Sequence, residues 1–293
     1  EWTLEANPGS LTADDCRVWL DVGVNRLSLG VQSFDDAALR WLGRLHDAAG
    51  ARAAIERALE AGFANLNLDL IFGLPAELPR DWGRDVETAA SLGATHVSTY
   101  GLTAEAGTPL GRMVDLGRVR LADEERYERE YLEAVERLER RGFRAYEVSN
   151  HALAGRECRH NWHYWIGTDY LGLGPSAHSF VGGERSWNVR RWEAYRTAAR
   201  AGGELREGRE RPDRERARLE RLWLGLRTRR GVRLEELSAG PAALAVVDRW
   251  EEAGWAWREA GRLRLTPAGW LRMDALVTEL AAGPVRPAAV AEP

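Results

Sequence analysis

Short apolar runs alternate with amphipathic segments through the first two-thirds of the chain. The runs EWTLEA, RLSLGVQ, NLNLDLIF, HVSTYGL and RAYEVS have the alternating or continuously apolar pattern of buried strands. The predicted strands are residues 1–6, 26–32, 65–72, 96–102 and 144–149, with a last strand, loosened by glycines, at 170–178. The predicted helices are residues 11–22, 35–42, 48–61, 81–92 and 121–141. Strands that alternate with helices in this way form a parallel sheet with crossover helices.

The number and order of these elements favour a partial (β/α) barrel of the TIM type over an open doubly wound sheet. Five or six β-α units follow one another without a signal that ends the sheet, and no G-x-G-x-x-G fingerprint follows the first strand. A complete barrel has eight units. Because the chain starts at Glu1 rather than Met, inside a predicted strand, we expect that N-terminal barrel units are missing.

The pattern changes after residue 195, where the chain becomes mainly helical. Helices are predicted at 213–227, 234–237 and 242–253, followed by a hairpin at 255–265 and a final helix at 267–280. This order predicts a small helical, winged-helix-like C-terminal domain at 196–280, after a barrel portion at 1–195. The Pro- and Ala-rich residues 281–293 are predicted to form a disordered tail.

Charge and cysteine content exclude several classes of protein. The net charge is −4 at pH 7 and no long block of like charge occurs, which argues against nucleic acid as the main partner. No apolar run reaches the roughly 18 residues of a bilayer-spanning helix. The two cysteines, Cys16 and Cys158, make no disulfide framework, so a reducing cytoplasm is the predicted location.

Polar residues follow the carboxyl end of nearly every predicted strand, where the active sites of such barrels lie. In chain order they are Glu5, Asn7, Ser28, Gln32, Asp69, Tyr100, Thr103, Glu147, Asn150 and His178. Caps and turns need only one or two such groups, so the series predicts a binding rim. His96 opens a strand and is expected to be exposed.

Within this rim, Asp69 carries the strongest signal. It lies among Leu68, Leu70 and Ile71, and a buried carboxylate needs a hydroxyl, an amine or an arginine as its partner. A cap before the following Gly-Leu-Pro turn is the structural alternative. Arg44 is suited to hold a carboxylate in a bidentate fork, although its sequence context alone does not decide this.

The stretch RECRHNWHYW, residues 156–165, is dense in aromatic rings and metal-binding side chains. Cys158, His160 and His163 lack the paired spacing and the fourth ligand of a structural zinc site. A loop with His, Cys, Tyr and Trp suits a flat aromatic cofactor such as haem, whose iron binds either His or Cys thiolate. A tightly packed βα loop, with the rings in the core, is the alternative that the residues leave open.

Seven segments match the motifs of a known family, in family order. They are EWTLEANP (1–8), NRLSLGVQSF (25–34), LGRLHD (42–47), NLDLIFGLP (67–75), YEVSNHA (146–152), CRHNWHYW (158–165) and YLGLGPSAHS (170–179). On these segments the chain resembles the HemW family of radical S-adenosylmethionine (SAM) haem chaperones, relatives of the HemN-type oxygen-independent coproporphyrinogen III oxidases. The resemblance implies a radical-SAM TIM-type barrel and a HemN-type C-terminal domain.

The resemblance also implies site residues for two ligands. The implied SAM contacts are Glu5, Gln32, Arg44 and Asp69, with backbone contacts near Thr103 and His178. The family's H-N-x-x-Y-W motif falls on His160, Asn161, Tyr164 and Trp165, and implies a haem-associated segment. Cys158 and His160 are the two candidate ligands of the haem iron.

One family feature is absent from the sequence. The family binds a [4Fe-4S] cluster through a Cys-x3-Cys-x2-Cys motif, and no such motif occurs among these residues. Cys16 and Cys158 do not replace it, since three thiolates must converge on one cluster. We therefore expect that the cluster-binding units are missing and that the chain as it stands does not perform radical chemistry.

Three functions stay open, in a definite order. The first is a cytoplasmic haem chaperone that uses SAM and the cluster in the intact protein and passes haem to an acceptor protein. A respiratory acceptor and peripheral membrane association are open expectations for it. The second is oxidative decarboxylation of coproporphyrinogen III in porphyrin biosynthesis, against which the H-N-x-x-Y-W motif argues. The third is a nucleic-acid-binding regulator, which the last helix disfavours because Arg272 is its only basic residue.

Overall fold

The computed structural model describes residues 1–78, 80–237 and 241–282, and it divides into two compact units, Glu1–Glu157 and Cys158–Pro293. The predicted boundary at residue 195 falls inside a helix of the second unit, Trp192–Ala201. The second unit begins earlier because the strands that follow residue 177 pair with one another in a separate sheet. Most of the predicted tail, residues 283–293, lies outside the described residues.

A six-stranded sheet forms the centre of the first unit. Its strands are β1 Thr3–Ala6, β2 Arg26–Gln32, β3 Leu66–Phe72, β4 His96–Gly101, β5 Arg144–Glu147 and β6 Asn150–Ala152. Their order across the sheet is β1-β2-β3-β4-β6-β5, and β1 to β4 run parallel. These four strands confirm the predicted parallel β-α arrangement.

Six helices accompany this sheet in the described part of the first unit. They are α1 Ala13–Asp21, α2 Asp36–Trp41, α3 Ala48–Ala61, α4 Trp82–Ser91, α5 Pro109–Asp115 and α6 Glu124–Arg140. Each begins after a Thr or Asp whose side chain accepts a backbone N–H of the first turn. Sequence analysis did not predict α5, which is only two turns long.

The predicted single strand at 144–149 is instead a hairpin of two strands. β6 runs antiparallel to both β4 and β5 and lies between them. Two hydrogen bonds from other elements stabilise the turn between β5 and β6. The Tyr131 hydroxyl donates to the Val148 carbonyl at 2.8 Å, and the Thr99 N–H donates to the Ser149 carbonyl at 2.8 Å. All three residues of β6 are buried, so no alternation of apolar and polar residues marks the strand.

The alternation along β3 separates an apolar face from a polar one. Leu66, Leu68 and Leu70 are completely buried and belong to the hydrophobic core. Asn67 and Asp69 alternate with them and lie on the opposite face of the sheet. This polar face positions the first candidate site.

The second unit contains two small antiparallel sheets. The first has the strands β7 His178–Val181, β8 Glu184–Asn188 and β9 Arg206–Glu210, and the second has β10 Val232–Arg233, β11 Ala256–Glu259 and β12 Arg262–Leu265. The helices are α7 Arg159–Trp165, α8 Trp192–Ala201, α9 Arg214–Leu226, α10 Pro241–Glu252, α11 Pro267–Trp270 and α12 Met273–Ala282. Among the described residues, none of these helices or those of the first unit is long and apolar enough to cross a membrane.

The C-terminal prediction is confirmed in outline and corrected in detail. The helix at 213–227, the helix at 242–253 and the hairpin at 255–265 are present as α9, α10 and β11–β12. The final helix is divided into α11 and α12, and the predicted helix at 234–237 is a short 3-10 turn. The predicted strand at 170–178 is mostly loop, because Gly174 and Ser176 adopt positive φ angles. Within this range, Tyr170 forms an isolated bridge with Phe180 and His178 is the first residue of β7.

Candidate functional site

The polar face of β3 is the centre of a hydrogen-bond network in the first unit. The Asn67 amide nitrogen donates to Ser28 Oγ at 2.6 Å and to Asp69 Oδ1 at 2.8 Å. The Asn67 Oδ1 atom lies 2.6 Å from His96 Nδ1 and accepts from Ser98 Oγ at 3.1 Å. Strand register produces these contacts, since Ser28, Asn67 and His96 are neighbours across β2, β3 and β4. The network fixes the position of the Asp69 carboxylate.

The Asp69 carboxylate itself is in an unfavourable environment for its charge. Burial raises the pKa of Asp69 above its ordinary value, and the negative charge of Glu5 adds to the rise. Hydrogen bonds from Asn67, Ser98 and Ser28 oppose it. A carboxylate whose pKa is raised by burial and by a nearby negative charge is a common feature of binding and catalytic sites.

A second cluster lies at the carboxyl ends of β1 and β2. Arg44 Nη2 donates to Asn7 Oδ1 at 2.6 Å and to the Gly30 carbonyl at 3.3 Å. Gln32 has a φ of 69°, a left-handed conformation that is costly for a residue other than glycine. A Cβ on Gly30 would lie 2.9 Å from Gln32 Nε2 and 3.3 Å from Arg44 Nη2. Glycine is therefore required here, because a side chain would crowd the Gln32 amide and the Arg44 guanidinium.

Four of the six predicted SAM contacts come together in this part of the first unit. Glu5 is exposed and pairs across β1 and β2 with Ser28, in the same row as Asn67. Gln32 ends β2, the neighbour of the strand β3 that carries Asp69, and Arg44, in the loop after α2, reaches the Gly30 carbonyl of β2. The arrangement offers two carboxylates, an amide and a guanidinium to a polar ligand.

The two other predicted contacts are placed differently. Thr103 is exposed in the loop after β4, and its hydroxyl lies 3.5 Å from Glu105 Oε1. His178 belongs to the second unit, where it opens β7 with its ring 6.0 Å from that of Trp187. Within the first unit, the hydrogen bonds of the described residues do not join Thr103 to the Asp69 or Arg44 networks.

Two polar residues of the predicted rim have a structural role instead. The Asn150 amide donates to Glu147 Oε1, and the Ser149 N–H donates to the same oxygen at 3.1 Å. Both Glu147 and Asn150 are buried within the β5–β6 hairpin. The hairpin, which sequence analysis did not predict, therefore uses these two side chains for its own turn.

Sequence analysis did not assign Asn67, His96 or Ser98 to the network. The prediction that His96 is exposed was wrong, because its side chain is completely buried and Nε2 lies 2.9 Å from the Tyr146 hydroxyl. Burial holds the pKa of His96 well below its ordinary value. The signal for Asn67 was present in NLNLDL, where it shares the polar face with Asp69.

The segment 159–165 forms helix α7 rather than the predicted loop. His160 is exposed on this helix, and its ring lies edge-on to Tyr164 with 4.9 Å between the ring centroids. Tyr164 in turn contacts Tyr170 at 4.6 Å. Cys158 precedes the helix, is buried, and makes no capping bond with its side chain. The rings of His160, Tyr164 and Tyr170 therefore form a row within the second unit, and the His160 end of this row is exposed.

The remaining residues of the H-N-x-x-Y-W motif lie within the second unit, where Trp165 contacts Arg227. Asn161 is half-buried on α7. The Arg227 guanidinium lies 4.5 Å from the ring centroid of Trp165, in a cation–π contact. The indole nitrogen of Trp165 is buried, with no hydrogen-bond partner among the described residues. His163 Nδ1 lies 2.9 Å from Thr168 Oγ1, which assigns this second histidine a local role.

The cysteines do not fit an iron–sulfur cluster. Cys16 and Cys158 are both buried and belong to different units. No group of three His, Cys, Asp or Glu residues in the described ranges could hold a metal ion. A cluster needs more converging thiolates than the two that this chain contains.

Comparisons with known proteins agree with this architecture. Residues 1–89 match the model of the Radical SAM superfamily. The solved structure of coproporphyrinogen III oxidase (HemN) from Escherichia coli, described as a radical SAM enzyme, superposes with a TM-score of 0.76 at 19% identity. The superposition covers 94% of this chain and 68% of the HemN chain. The fold is therefore that of a radical SAM protein.

Closer relatives identify the family within this class. A protein named haem chaperone HemW from Mycobacterium tuberculosis is 37% identical over 281 residues, which cover 96% of this chain and 71% of that protein. HemW from Bacillus subtilis is 38% identical over 233 residues, or 79% of this chain. The match spans 61% of the length of the Bacillus relative. The chain belongs to the HemW family of radical SAM proteins.

Proposed function

We propose that this chain is the SAM- and haem-binding portion of a haem chaperone, which binds haem and passes it to an acceptor protein in the cytoplasm. The relatives support this by name, since both proteins described above are called haem chaperone HemW. One structural observation supports it directly. Helix α7 presents an exposed imidazole, His160, beside the rings of Tyr164 and Tyr170.

The geometry of α7 favours His160 over Cys158 as the ligand of the haem iron. Cys158 is buried at the start of the helix, whereas His160, two residues further along, is exposed. Neutral imidazole is a usual axial ligand of haem iron, and nearby aromatic rings cover the faces of the porphyrin. His160 therefore supplies the iron ligand, and Tyr164 supplies a ring beside it.

The first unit binds SAM in this proposal. Asp69 and Glu5 accept hydrogen bonds from the ribose hydroxyls and the amino group, and Arg44 and Gln32 are suited to the carboxylate. The absence of a side chain at Gly30 lets the Gln32 amide and the Arg44 guanidinium lie against the backbone, where both can face the ligand. SAM is here a bound ligand, because the cysteines for a cluster that would reduce it are not among these residues.

The test is a haem titration of the chain followed by Soret absorbance, with His160→Ala compared with His163→Ala. We expect saturable one-to-one binding, weakened about tenfold or more by His160→Ala, which corresponds to ~1.4 kcal/mol or more. His163→Ala is the matched control on the same helix and should bind like the wild type. If the wild-type chain binds no haem, the chaperone proposal is wrong and coproporphyrinogen turnover becomes the activity to assay.

A further inference from the structure

The second unit contains a cavity of about 820 Å³ next to helix α7. It is bounded by the end of α7, by the loop and strands at Tyr170 and Phe180, and by one face of α9 from Arg214 to Leu224. Rings of Tyr164, Trp165, Tyr170 and Phe180 line it. Its size lies in the range of about 300–1,000 Å³ that is usual for small-molecule sites. The H-N-x-x-Y-W motif thus adjoins a space with an aromatic lining.

The same cavity is lined by an excess of positive charge. Its arginines are Arg185, Arg211, Arg214 and Arg221, and its acidic residues are Asp213 and Glu220. Arg185 is already paired, since its two terminal nitrogens lie 2.7 Å from Glu210 Oε1 and 3.0 Å from Glu220 Oε2. Asp213 is engaged as the N-cap of α9, where it accepts the Arg216 N–H at 2.8 Å.

Three arginines are left for a ligand. Arg211, Arg214 and Arg221 make no ion pair with any residue of the described ranges. Arg214 and Arg221 are seven residues apart on α9, which is two turns or roughly 10 Å along one face of the helix. The N-terminus of this thirteen-residue helix adds partial positive charge. The cavity therefore combines an apolar body with separated cationic groups at one side.

This combination selects a class of ligand. A flat aromatic molecule fills the space between the rings, and two carboxylates on one edge of it meet the arginines, which bind carboxylates through paired N–H donors. A purely apolar ligand would leave the guanidinium groups without partners, and a small anion would leave the aromatic lining uncovered. An apolar dicarboxylate satisfies both parts of the cavity.

We infer that this cavity holds the porphyrin ring of haem, with the propionate carboxylates bound by Arg214 and Arg221 and with Arg211 beside them. The inference rests on the proposed function, and it adds the binding surface for the macrocycle and the means of recognising its carboxylates. It assigns affinity to the porphyrin itself, independently of the iron. The chain should therefore bind a porphyrin that contains no metal.

The experiment is a fluorescence titration of the whole chain with metal-free protoporphyrin IX. We expect saturable binding that falls about tenfold for Arg214→Ala and for Arg221→Ala, and further for the double variant. Arg218→Ala is the matched control on the same helix, because Arg218 pairs with Glu215 at 2.7 Å and does not line the cavity. Circular dichroism establishes that each variant is folded. Arg214→Lys, which keeps the charge but not the fork, should recover part of the affinity.

Protoporphyrin IX dimethyl ester tests recognition of the carboxylates directly. The ester should bind the wild type more weakly than the acid does, and it should bind the double variant no worse than the wild type. If the double variant binds the acid like the wild type, or if ester and acid bind equally, the inference is overturned. In that case a haem titration that still depends on His160 would leave the proposed function standing. If neither haem nor porphyrin binds the wild type, both proposals are wrong.

Discussion

The carboxylate of Asp69 occupies a position whose energetic cost its hydrogen bonds only partly offset. Burial raises the pKa of Asp69, and bonds from Asn67, Ser98 and Ser28 lower it again in part. A raised pKa means that the folded chain disfavours the ionised form, so this side chain reduces stability at neutral pH. A residue with that cost is better explained by a ligand that it binds than by the stability of the fold.

Asp69→Asn is therefore expected to weaken SAM binding while raising the free energy of unfolding at pH 7. In the folded chain the pKa of Asp69 lies above its ordinary value of 3.8, because burial favours the protonated carboxyl group. The protonated group contributes its full stability below pH 3.8, and this contribution is lost as the pH rises through the raised pKa. The increase in the free energy of unfolding of Asp69→Asn over the wild type should be largest at neutral pH and should decrease towards about pH 4. Loss of a charged hydrogen bond of ~1.5–3 kcal/mol predicts at least tenfold weaker SAM binding.

Thermal unfolding between about pH 4 and 8 and calorimetric titration with SAM measure the two effects. Asp115→Asn gives the control, because this carboxylate is exposed at the end of α5 and should leave SAM affinity unchanged. A variant that binds SAM as tightly as the wild type would remove Asp69 from the site. Equal stability of the two proteins across the pH range would contradict the argument from burial.

At the scale of elements, the sequence predicts the helices and strands in which apolar and polar residues alternate with a clear period. The alternation in β3 indicates both the buried leucines and the polar face with Asp69, so this part of the site follows from spacing alone. The contact of Asn67 with Ser28 and His96 does not, because it depends on the register between strands. Local pattern contains no information on how separate strands align.

The missed elements are those without a local signal. Helix α7 begins at Cys158, which makes no side-chain cap, and its apolar rings are mixed with His, Arg and Asn. The sequence predicts a haem-associated segment here but not its helical form, which places His160 and Tyr164 on one face. Strand β6 is three buried residues long and is defined by pairing with β4 and β5.

Helix α6 holds the turn after β3 through one buried side chain, Glu130. Its Oε2 accepts the Gly73 N–H at 2.8 Å and lies 3.3 Å from Arg80 Nη2, and its Oε1 accepts from Arg126 Nε at 2.7 Å. Glu130→Ala leaves the buried Arg80 without this partner and should cost about 3–5 kcal/mol. Glu136→Ala, which removes an exposed pair with Arg140 on the same helix, should cost ~0.5 kcal/mol or less.

Urea unfolding followed by circular dichroism compares the two variants. The expected result is a clear fall in the midpoint for Glu130→Ala and almost none for Glu136→Ala. Equal midpoints would show that the turn after β3 is stable without this bond. SAM affinity, measured in the same variants, reports whether the turn also supports the end of the strand that carries Asp69.

At the scale of the whole molecule, each proposed site is built from the residues of one compact unit. The proposed SAM contacts Glu5, Gln32, Arg44 and Asp69 belong to Glu1–Glu157. Helix α7, which carries the proposed haem ligand, and the arginine-lined cavity belong to Cys158–Pro293. A substitution that changes the shape of one site should therefore act on its own ligand.

Gly30→Val and His160→Ala test this separation with two ligands. The valine side chain would crowd the Gln32 amide and the Arg44 guanidinium, so SAM affinity should fall at least about tenfold, which is ~1.4 kcal/mol, while the Soret titration stays unchanged. His160→Ala should show the reverse pattern. If either variant weakens both ligands, then the binding of SAM and the binding of haem are coupled. The coupling free energy is then measured as the change in the SAM affinity of the wild type when haem is bound.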